Sequence, residues 1–376
     1  LTLQPFPCLV RSTPRLASVI TAFHIKKTAQ GVDMAEISMK EVLARVAAGG
    51  TLSEAEAAGA FEIMMCGEAT AAQIGALLMG MRLRGETVTE IAGGVRVMRD
   101  KALTIDAPEG AIDTVGTGGD AAGTYNVSTA AALVVAATGV PVAKHGNRAL
   151  SSKSGAADVL TELGVNVDCD MALVKKALWD TGICFMMAQR HHGAMRHVGP
   201  ARVEMGVRTI FNLLGPLANP AGVKRQLTGV FAKEWVEPMA RVLANLGSER
   251  AWIVHGQDGL DEITTTGSTW VADLNNGQIK TFEITPEDAG LPRATINDLK
   301  GGDPATNALA LSALLDGHQG AYRDIVLFNA AGALIVAGKV PDLKAGVAMA
   351  ADVIDKGEAR KVLQNLIEAT NQRPPM

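Results

Sequence analysis

Asp258, Asp261 and Glu262 crowd three carboxylates into five positions of the stretch HGQDGLDEITTTG, residues 255–267. Like charges this close repel one another and any anionic ligand, unless a cation lies between them. Mg²⁺ suits the role, because it is usually held by one or two carboxylates and draws its other ligands from phosphates and water. The calcium-loop spacing D-x-[DN]-x-[DN]-G is absent, so an EF-hand is excluded and a solvated turn is the alternative. Two further stretches carry the chemistry that would complement such an ion. In DTVGTGGDAAGTYNVST, Asp113 to Thr129, the glycines leave backbone bare for a ligand. Thr124, Asn126, Ser128 and Thr129 add side-chain donors, and a helix N-terminus follows with free N–H groups. The pattern is neither GxGxxG nor GxxxxGK[ST], and an ordinary strand-to-helix turn is its alternative. In KHGNRALSSKSG, Lys144 to Gly155, the cations Lys144 and Arg148 accompany Gly146 and the donors Asn147, Ser151, Ser152 and Ser154. A solvated basic loop is the plain alternative, but two anion-suited loops separated by one helix weaken it.

A fourth stretch, Gln189 to Pro220, holds His191, His192 and His197. H-E-x-x-H is absent and no cysteine is near, so zinc is not supported. Arg202 in this stretch is better read as a carboxylate fork, given its planar five-donor geometry. No Ser-His or Cys-His nucleophile is evident.

These residues need elements to hold them. From Met34 to about Leu103 the pattern is helical throughout, with capping boxes at Ser53/Glu56, Thr70/Gln73 and Thr87/Glu90. Short connections imply a small antiparallel helical unit. Residues 104–110 (TIDAPEG) read as a linker. Beyond it, short apolar runs alternate with helices. Strands are expected at Ala111–Val115, Val140–Ala143, Ile183–Met187, Gln226–Val230, Trp252–Val254 and Trp270–Ala272. Helices are expected at about Asn126–Thr138, Ser154–Leu163 and Met171–Thr181, and Asp303–Ala369 is helix-rich. This alternation predicts an α/β domain with a mostly parallel sheet, which binds ligands beyond the carboxyl ends of its strands.

Composition narrows the function classes. Hydrophobic residues make up 48% and charged residues 20% of 376, which supports a sizeable core. The net charge of −4, with no basic stripe, argues against a nucleic-acid binder. The longest apolar stretch, Ile325 to Val336, is interrupted by Asn329 and is shorter than the roughly 18 residues of a membrane span. Cys8, Cys66, Cys169 and Cys184 have no CxxC spacing, which points to a reducing cytoplasm. Residues 1–33 carry four basic residues against one acid, leaving the rest of the chain at −7. They read as an extension outside the fold, with a transit peptide as the alternative.

Taken together, GTGGD with NVST, KHGNR with SS, HHGAMRHVGPARVEMGVRTIFNLLGPLANP and HGQDGLDE resemble the anthranilate phosphoribosyltransferase family, in order and from about residue 38 to the C-terminus. The resemblance implies a homodimer with a small all-helical N-terminal domain (34–104, with helices around 193–212 packing on it). This domain is hinged to a larger α/β domain (105–376) with a mostly parallel central sheet flanked by helices, as in nucleoside phosphorylases. It implies transfer of phosphoribose from 5-phosphoribosyl-1-diphosphate to the anthranilate amine, in tryptophan biosynthesis. By motif, Gly116, Gly119, Asp120, Thr124, Asn126, Val127, Ser128, Thr129, Lys144, His145, Gly146, Asn147, Arg148, Ala149, Leu150, Ser151, Ser152 and Ala156 would bind the diphosphate substrate. Ser128, Asp261 and Glu262 would hold Mg²⁺. Gly116, Asn147, Arg202, His192 and Pro216 would contact anthranilate, and Lys144 and Arg202 would carry the catalysis. Gly116 is expected to tolerate a side chain least. Gln189 and Gly193 stand where the family commonly has prolines, which implies a more mobile acceptor entrance. The alternatives are a pyrimidine nucleoside phosphorylase, whose Lys-His-Ser-Thr-Gly-Gly loop is absent, and a non-catalytic nucleic-acid-binding paralogue, against which the charge argues.

Overall fold

The computed structural model describes residues 25–27, 33–119, 123–149 and 153–373. Most of the expected extension therefore lies outside the described residues. Its strand β1 (Ile25–Lys27) pairs antiparallel with β2 (Asp33–Ala35), and β2 packs on a helix of the N-terminal unit. The helical pattern expected from Met34 thus begins later. Ser38 must be extended to cap, with its hydroxyl on Glu41 N–H and the Glu41 carboxylate on its own N–H, so α1 starts at Met39 (Met39–Ala47).

Helices α2 (Glu54–Met65), α3 (Ala71–Arg84) and α4 (Val88–Asp100) begin at the three expected capping boxes. Glu90 does more than cap. It is wholly buried, accepts the Leu52 N–H at 2.9 Å and pairs with Arg84 at 2.5 Å. One carboxylate thereby ties the start of α4 to the end of α3 and to the segment before α2.

The α/β unit is a seven-stranded sheet. In chain order its strands are β3 (Ile112–Gly116), β4 (Val142–Gly146), β5 (Ile183–Met187), β6 (Arg225–Gly229), β7 (Arg250–Gly256), β8 (Thr269–Asn275) and β9 (Gln278–Ile284). In space they run β5-β4-β3-β6-β7-β8-β9, the first five mutually parallel, β8 antiparallel to β7 and β9 antiparallel to β8. The expected Val140–Ala143 strand moves towards the C-terminus, because Pro141 has no N–H to donate and β4 begins after it. Lys144 and His145 consequently sit inside a strand rather than in the loop beyond it. Strand β9 was not expected. It is a mostly exposed edge strand joined to β8 by Asn276-Gly277, both at positive φ (49° and 82°), the two-residue hairpin such dipeptides favour.

Helices α5 (Val127–Ala137), α6 (Ala156–Glu162), α7 (Met171–Thr181), α8 (Ala188–His191), α9 (Gly199–Met205), α10 (Phe211–Leu217) and α11 (Val236–Asn245) are followed by α12 (Pro304–Leu315), α13 (Ala321–Ala337), α14 (Leu343–Asp355) and α15 (Glu358–Thr370). Among the described residues no helix is long and apolar enough to cross a membrane. Strand alternation divides the interior in two. Trp252 and Val254 of β7 face a core built with α5 to α7 and α12 to α15. Ala251 and Ile253 face a second core shared with α1 to α4, α9, α10 and α11. Val198, Ala201, Ile210, Phe211 and Leu214 lie in this second core.

The order of the strands reverses beside β3, since the chain leaves β3 for β4 and β5 and returns to β6 on the other side. This switch point is where open α/β sheets place their crevice. Two glycines end the strands there in register, Gly116 opposite Gly229. The Asp261 backbone lies across them. A β-carbon on Gly229 would come 1.5 Å from the Asp261 carbonyl oxygen, and one on Gly116 would come 2.4 Å from its Oδ2. The tightest position is thus Gly229, not Gly116, because rigid backbone rather than a side-chain end occupies the space. Gly229→Ala is expected to destabilise the fold by about 3 kcal/mol, and Gly116→Ala by less. Urea unfolding of the two variants measures this, and wild-type stability of Gly229→Ala would refute it.

Candidate active site

Lys144 lies almost fully buried in β4 beneath this crevice. Its ammonium donates to the Thr114 carbonyl at 2.5 Å and lies 3.4 Å from Ser128 Oγ, at the start of α5. Burial lowers its pKa, opposed by the charges of Asp113 and Glu262. Asp113 is fully buried in β3, and burial pushes its carboxyl up to about 6 against the pull of Lys144. Its two oxygens accept the His145 N–H (3.1 Å) and Asn219 Nδ2 (2.7 Å), which fixes β4 against β3. Lys144 is thus buried next to Ser128, where α5 begins at the crevice.

The acidic loop comes down on this platform. Gly118 N–H donates to Asp261 Oδ2 at 2.7 Å, and Ser128 N–H donates to Glu262 Oε1 at 3.1 Å. The glycine loop, the helix N-terminus and the acidic pair are therefore one hydrogen-bonded unit. Asp258 is not part of it, since its carboxylate accepts Thr264 and Thr266 hydroxyls at 2.6 Å. Oxygen donors from Ser128, Asp261 and Glu262 suit a hard cation. Among the described residues no group of three or more His, Cys, Asp or Glu side chains is placed to hold a metal. An ion here would need ligands from phosphate and water as well.

The remaining expected residues divide clearly. Asn126 makes no side-chain capping bond. Its amide instead meets Ser154 (3.3 and 3.4 Å) and accepts Asn307 Nδ2 at 2.9 Å. Thr124 bridges to Lys300 through the backbone. Val127 is buried, and so is Thr129, whose hydroxyl has no hydrogen-bond partner among the described residues. Asn147 caps the Arg148 N–H at 2.9 Å, while the Arg148 guanidinium pairs with Asp158 (3.4 Å) and Asp168 (3.0 Å). Ala149 N–H rests on Asp158, Gly146 packs at the Phe185 ring and Ala156 opens α6. Gly119 receives the Arg208 guanidinium on its carbonyl at 3.3 Å. Asp120, Leu150, Ser151 and Ser152 lie outside the described residues.

On the other side of the crevice, Arg202 in α9 is half-buried over the Phe211 ring (5.1 Å), and burial lowers its pKa. It forms no ion pair among the described residues. Pro216 is buried in α10, and Gly193 opens a 3₁₀ turn, Gly193–His197. His192 is buried with its ring 5.2 Å from that of His145. Sequence reasoning missed Gly229, Asn307 and Arg208. A glycine ending a strand pattern signals close backbone approach, which could have revealed Gly229. Asn307 stands 181 positions from Asn126 and carries no local signal.

Burial depresses the pKa of three neighbouring histidines. His192 falls to about 4, with the charge of His191 adding to the effect, while His145 falls well below 6.5 and His191 below it. The unfolded chain therefore binds protons below pH 6.5 that the folded chain refuses, and stability falls as pH drops towards 4. Asp113 works oppositely between about 6 and 3.8, where the folded chain keeps a proton the unfolded chain releases, so it offsets part of the loss. His192→Gln is expected to remove about 2 kcal/mol of the loss between pH 7 and pH 5. Urea unfolding at the two pH values reads this directly, and an unchanged pH dependence would exclude His192 as a contributor.

Known proteins resemble this chain in sequence and in fold. The glycosyl transferase family, helical bundle domain, matches residues 40–102, and the glycosyl transferase family, a/b domain, matches residues 108–360. Anthranilate phosphoribosyltransferase of Paramagnetospirillum magneticum is 64% identical over 334 residues, covering 89% of this chain and 96% of the relative. That of Azospirillum brasilense is 66% identical over 333 residues, covering 89% and 93%. The crystal structure of the Thermus thermophilus enzyme is 43% identical with a TM-score of 0.84, over 88% of this chain and 99% of that one. The Saccharomyces cerevisiae enzyme in complex with PRPP and Mg is 28% identical with a TM-score of 0.80, over 90% and 99%. On its sequence and its two-part fold, the chain belongs to the anthranilate phosphoribosyltransferase family.

Proposed function

We propose that the chain transfers the phosphoribosyl group of 5-phosphoribosyl-1-diphosphate to the amine of anthranilate, giving N-(5-phosphoribosyl)anthranilate and diphosphate. The observation that carries the reading is the seating of Asp261 and Glu262 on the Gly118 and Ser128 N–H groups, directly over Lys144. This places acidic oxygens, backbone donors and a buried cation around one strand end. The yeast structures with PRPP and Mg and with 4-fluoroanthranilate support both substrates.

In the reaction the C1–O bond breaks and diphosphate leaves with the electron pair. The amine lone pair forms the new C1–N bond, and the amine proton is lost. Mg²⁺ held by Ser128, Asp261 and Glu262 would neutralise charge on the departing diphosphate. The residues of this chain do the rest. Gly116 to Gly119 leave room for substrate against the backbone, and the α5 N-terminus offers donors to phosphate. Lys144 adds a fixed positive charge that needs no reorganisation, because it is already buried in position. Arg202, half-buried and without an ion pair among the described residues, would fork the anthranilate carboxylate. With Asn147 it would aim the weakly nucleophilic amine at C1, so positioning is its main contribution. His192 and Pro216 would line the approach of the acceptor.

The nucleoside phosphorylase alternative has no observation in its favour. We extend the reading to a homodimer, supported by Leu83, Val203 and Val207, large apolar side chains left exposed on and beside the packed helices α3 and α9. A second copy of the chain is the occupant proposed for this surface. Sedimentation velocity is expected to give twice the 39.1 kDa chain mass, and Val203→Glu to shift the protein towards monomer. A wild-type monomer at micromolar concentration would overturn this part.

The reading itself is tested by anthranilate fluorescence, which is expected to decay only when both phosphoribosyl diphosphate and Mg²⁺ are present. Asp261→Ala combined with Glu262→Ala should lower turnover about 100-fold or more. Arg202→Ala should raise the KM for anthranilate about tenfold or more, the scale of one charge-assisted hydrogen bond. Full activity of the double variant would remove the metal assignment, and an unchanged anthranilate KM would remove Arg202 from its role.

A further inference from the structure

Asn329 is a fully buried amide in the middle of α13, a helix whose residues from Ile325 to Val336 are all buried. A polar side chain there is costly unless its hydrogen bonds are met. They are met by a single residue of the acidic loop together with its own helix. Asn329 Oδ1 accepts the Ile263 N–H at 2.9 Å, and Nδ2 donates to the Ile263 carbonyl at 2.8 Å and to the Ile325 carbonyl at 2.9 Å. The amide thus grips Ile263 as a neighbouring strand would, by both backbone groups at once.

The Ile263 side chain is held at the same place. A β-carbon on Gly332, one turn after Asn329, would stand 2.5 Å from Ile263 Cδ1, so the absent side chain forms a notch that the isoleucine fills. Ile263 directly follows Glu262. Two bonds and one notch on α13 therefore fix where the chain leaves the Asp261-Glu262 pair, while Gly118 and Ser128 receive the carboxylates at its front. Asn329 and Glu262 also line the same small void with Thr114, Ser128 and Gly229.

We infer that Asn329 is a positioning residue for the reaction. Through Ile263 it sets the height and direction of the Asp261-Glu262 pair, and so governs binding of the Mg²⁺–phosphoribosyl diphosphate complex without touching it. The inference rests on the proposed transferase reading. Partners that orient metal ligands typically contribute tenfold to a hundredfold to affinity or activity.

The test uses the full chain and titrates Mg²⁺ with phosphoribosyl diphosphate by calorimetry, with no anthranilate present. Asn329→Leu keeps the volume and loses the grip. Asn329→Asp keeps an acceptor for the Ile263 N–H and loses the donor to its carbonyl. Both are expected to weaken binding about tenfold or more, and to raise the KM for phosphoribosyl diphosphate and the Mg²⁺ half-saturation. The KM for anthranilate should stay within about twofold. Gly332→Ala fills the notch but keeps the amide grip, and gives a milder version of the same split if the Asn329 variants fail to fold. Unchanged binding in folded variants, or equal change for both substrates, overturns the inference. A wild-type chain that binds no Mg²⁺–phosphoribosyl diphosphate would instead refute the transferase reading.

Discussion

The Asp261 backbone crossing the ends of two parallel strands is the contact on which the site depends. It requires glycine at both strand ends, because its carbonyl occupies the space of a Gly229 side chain and its carboxylate that of a Gly116 side chain. It requires those strands to be in register, which the parallel pairing of β3 with β6 provides. It also requires the crevice to be at the switch point, where no crossover helix covers the strand ends. With these conditions met, Asp261, 143 positions from Gly118 along the chain, reaches the glycine loop closely enough for Gly118 N–H to donate to its carboxylate at 2.7 Å.

Charge is then arranged in layers below and above that contact. Asp113 and Lys144 are buried in adjacent strands, each pKa moved by burial towards the neutral form and each drawn back by the other's charge. The Asn219 amide and the His145 N–H satisfy Asp113, and the Thr114 carbonyl satisfies Lys144. A charge held in this way costs folding energy but needs no rearrangement when an anionic group forms above it. Burial keeps the His191 and His192 rings towards the neutral form on the side of the crevice where Arg202 lies.

Much of this was legible in the sequence because it is local. A strand followed by glycines and a helix start, a cationic loop one helix later and paired acids at a third strand end all read directly as an anion site with a metal. The three expected capping boxes are four-residue signals, and all three formed. Missed features belong to longer-range packing. Lys144 read as a loop residue until Pro141 displaced its strand, which turned a surface cation into a buried one. The β9 hairpin did carry a local sign in Asn276-Gly277, but its mostly exposed face lacked the apolar alternation that marks a strand. Asn307 reaching Asn126 has no local sign at all. Asn329 lies between these cases: a lone amide in an apolar run shows that something must bind it, and only the fold identifies Ile263 as the partner.

The two cores explain why a family built on small helices and a sheet suits a two-substrate transfer. Residues read as binding phosphoribosyl diphosphate hang from β3, β4 and α5, whose apolar faces belong to the first core. Arg202 and Pro216 hang from α9 and α10, whose apolar residues belong to the second, together with the helical domain. The two sides of the crevice are thus anchored in different hydrophobic clusters. Substitutions deep in one core should then disturb the side of the crevice anchored there more than the other, since packing shifts propagate through contacts. Arg208 is a visible exception. It leaves the second core's segment, stacks on Phe231 at 4.2 Å and donates to the Gly119 carbonyl, while the Phe231 N–H donates to the Thr117 hydroxyl of the same glycine loop.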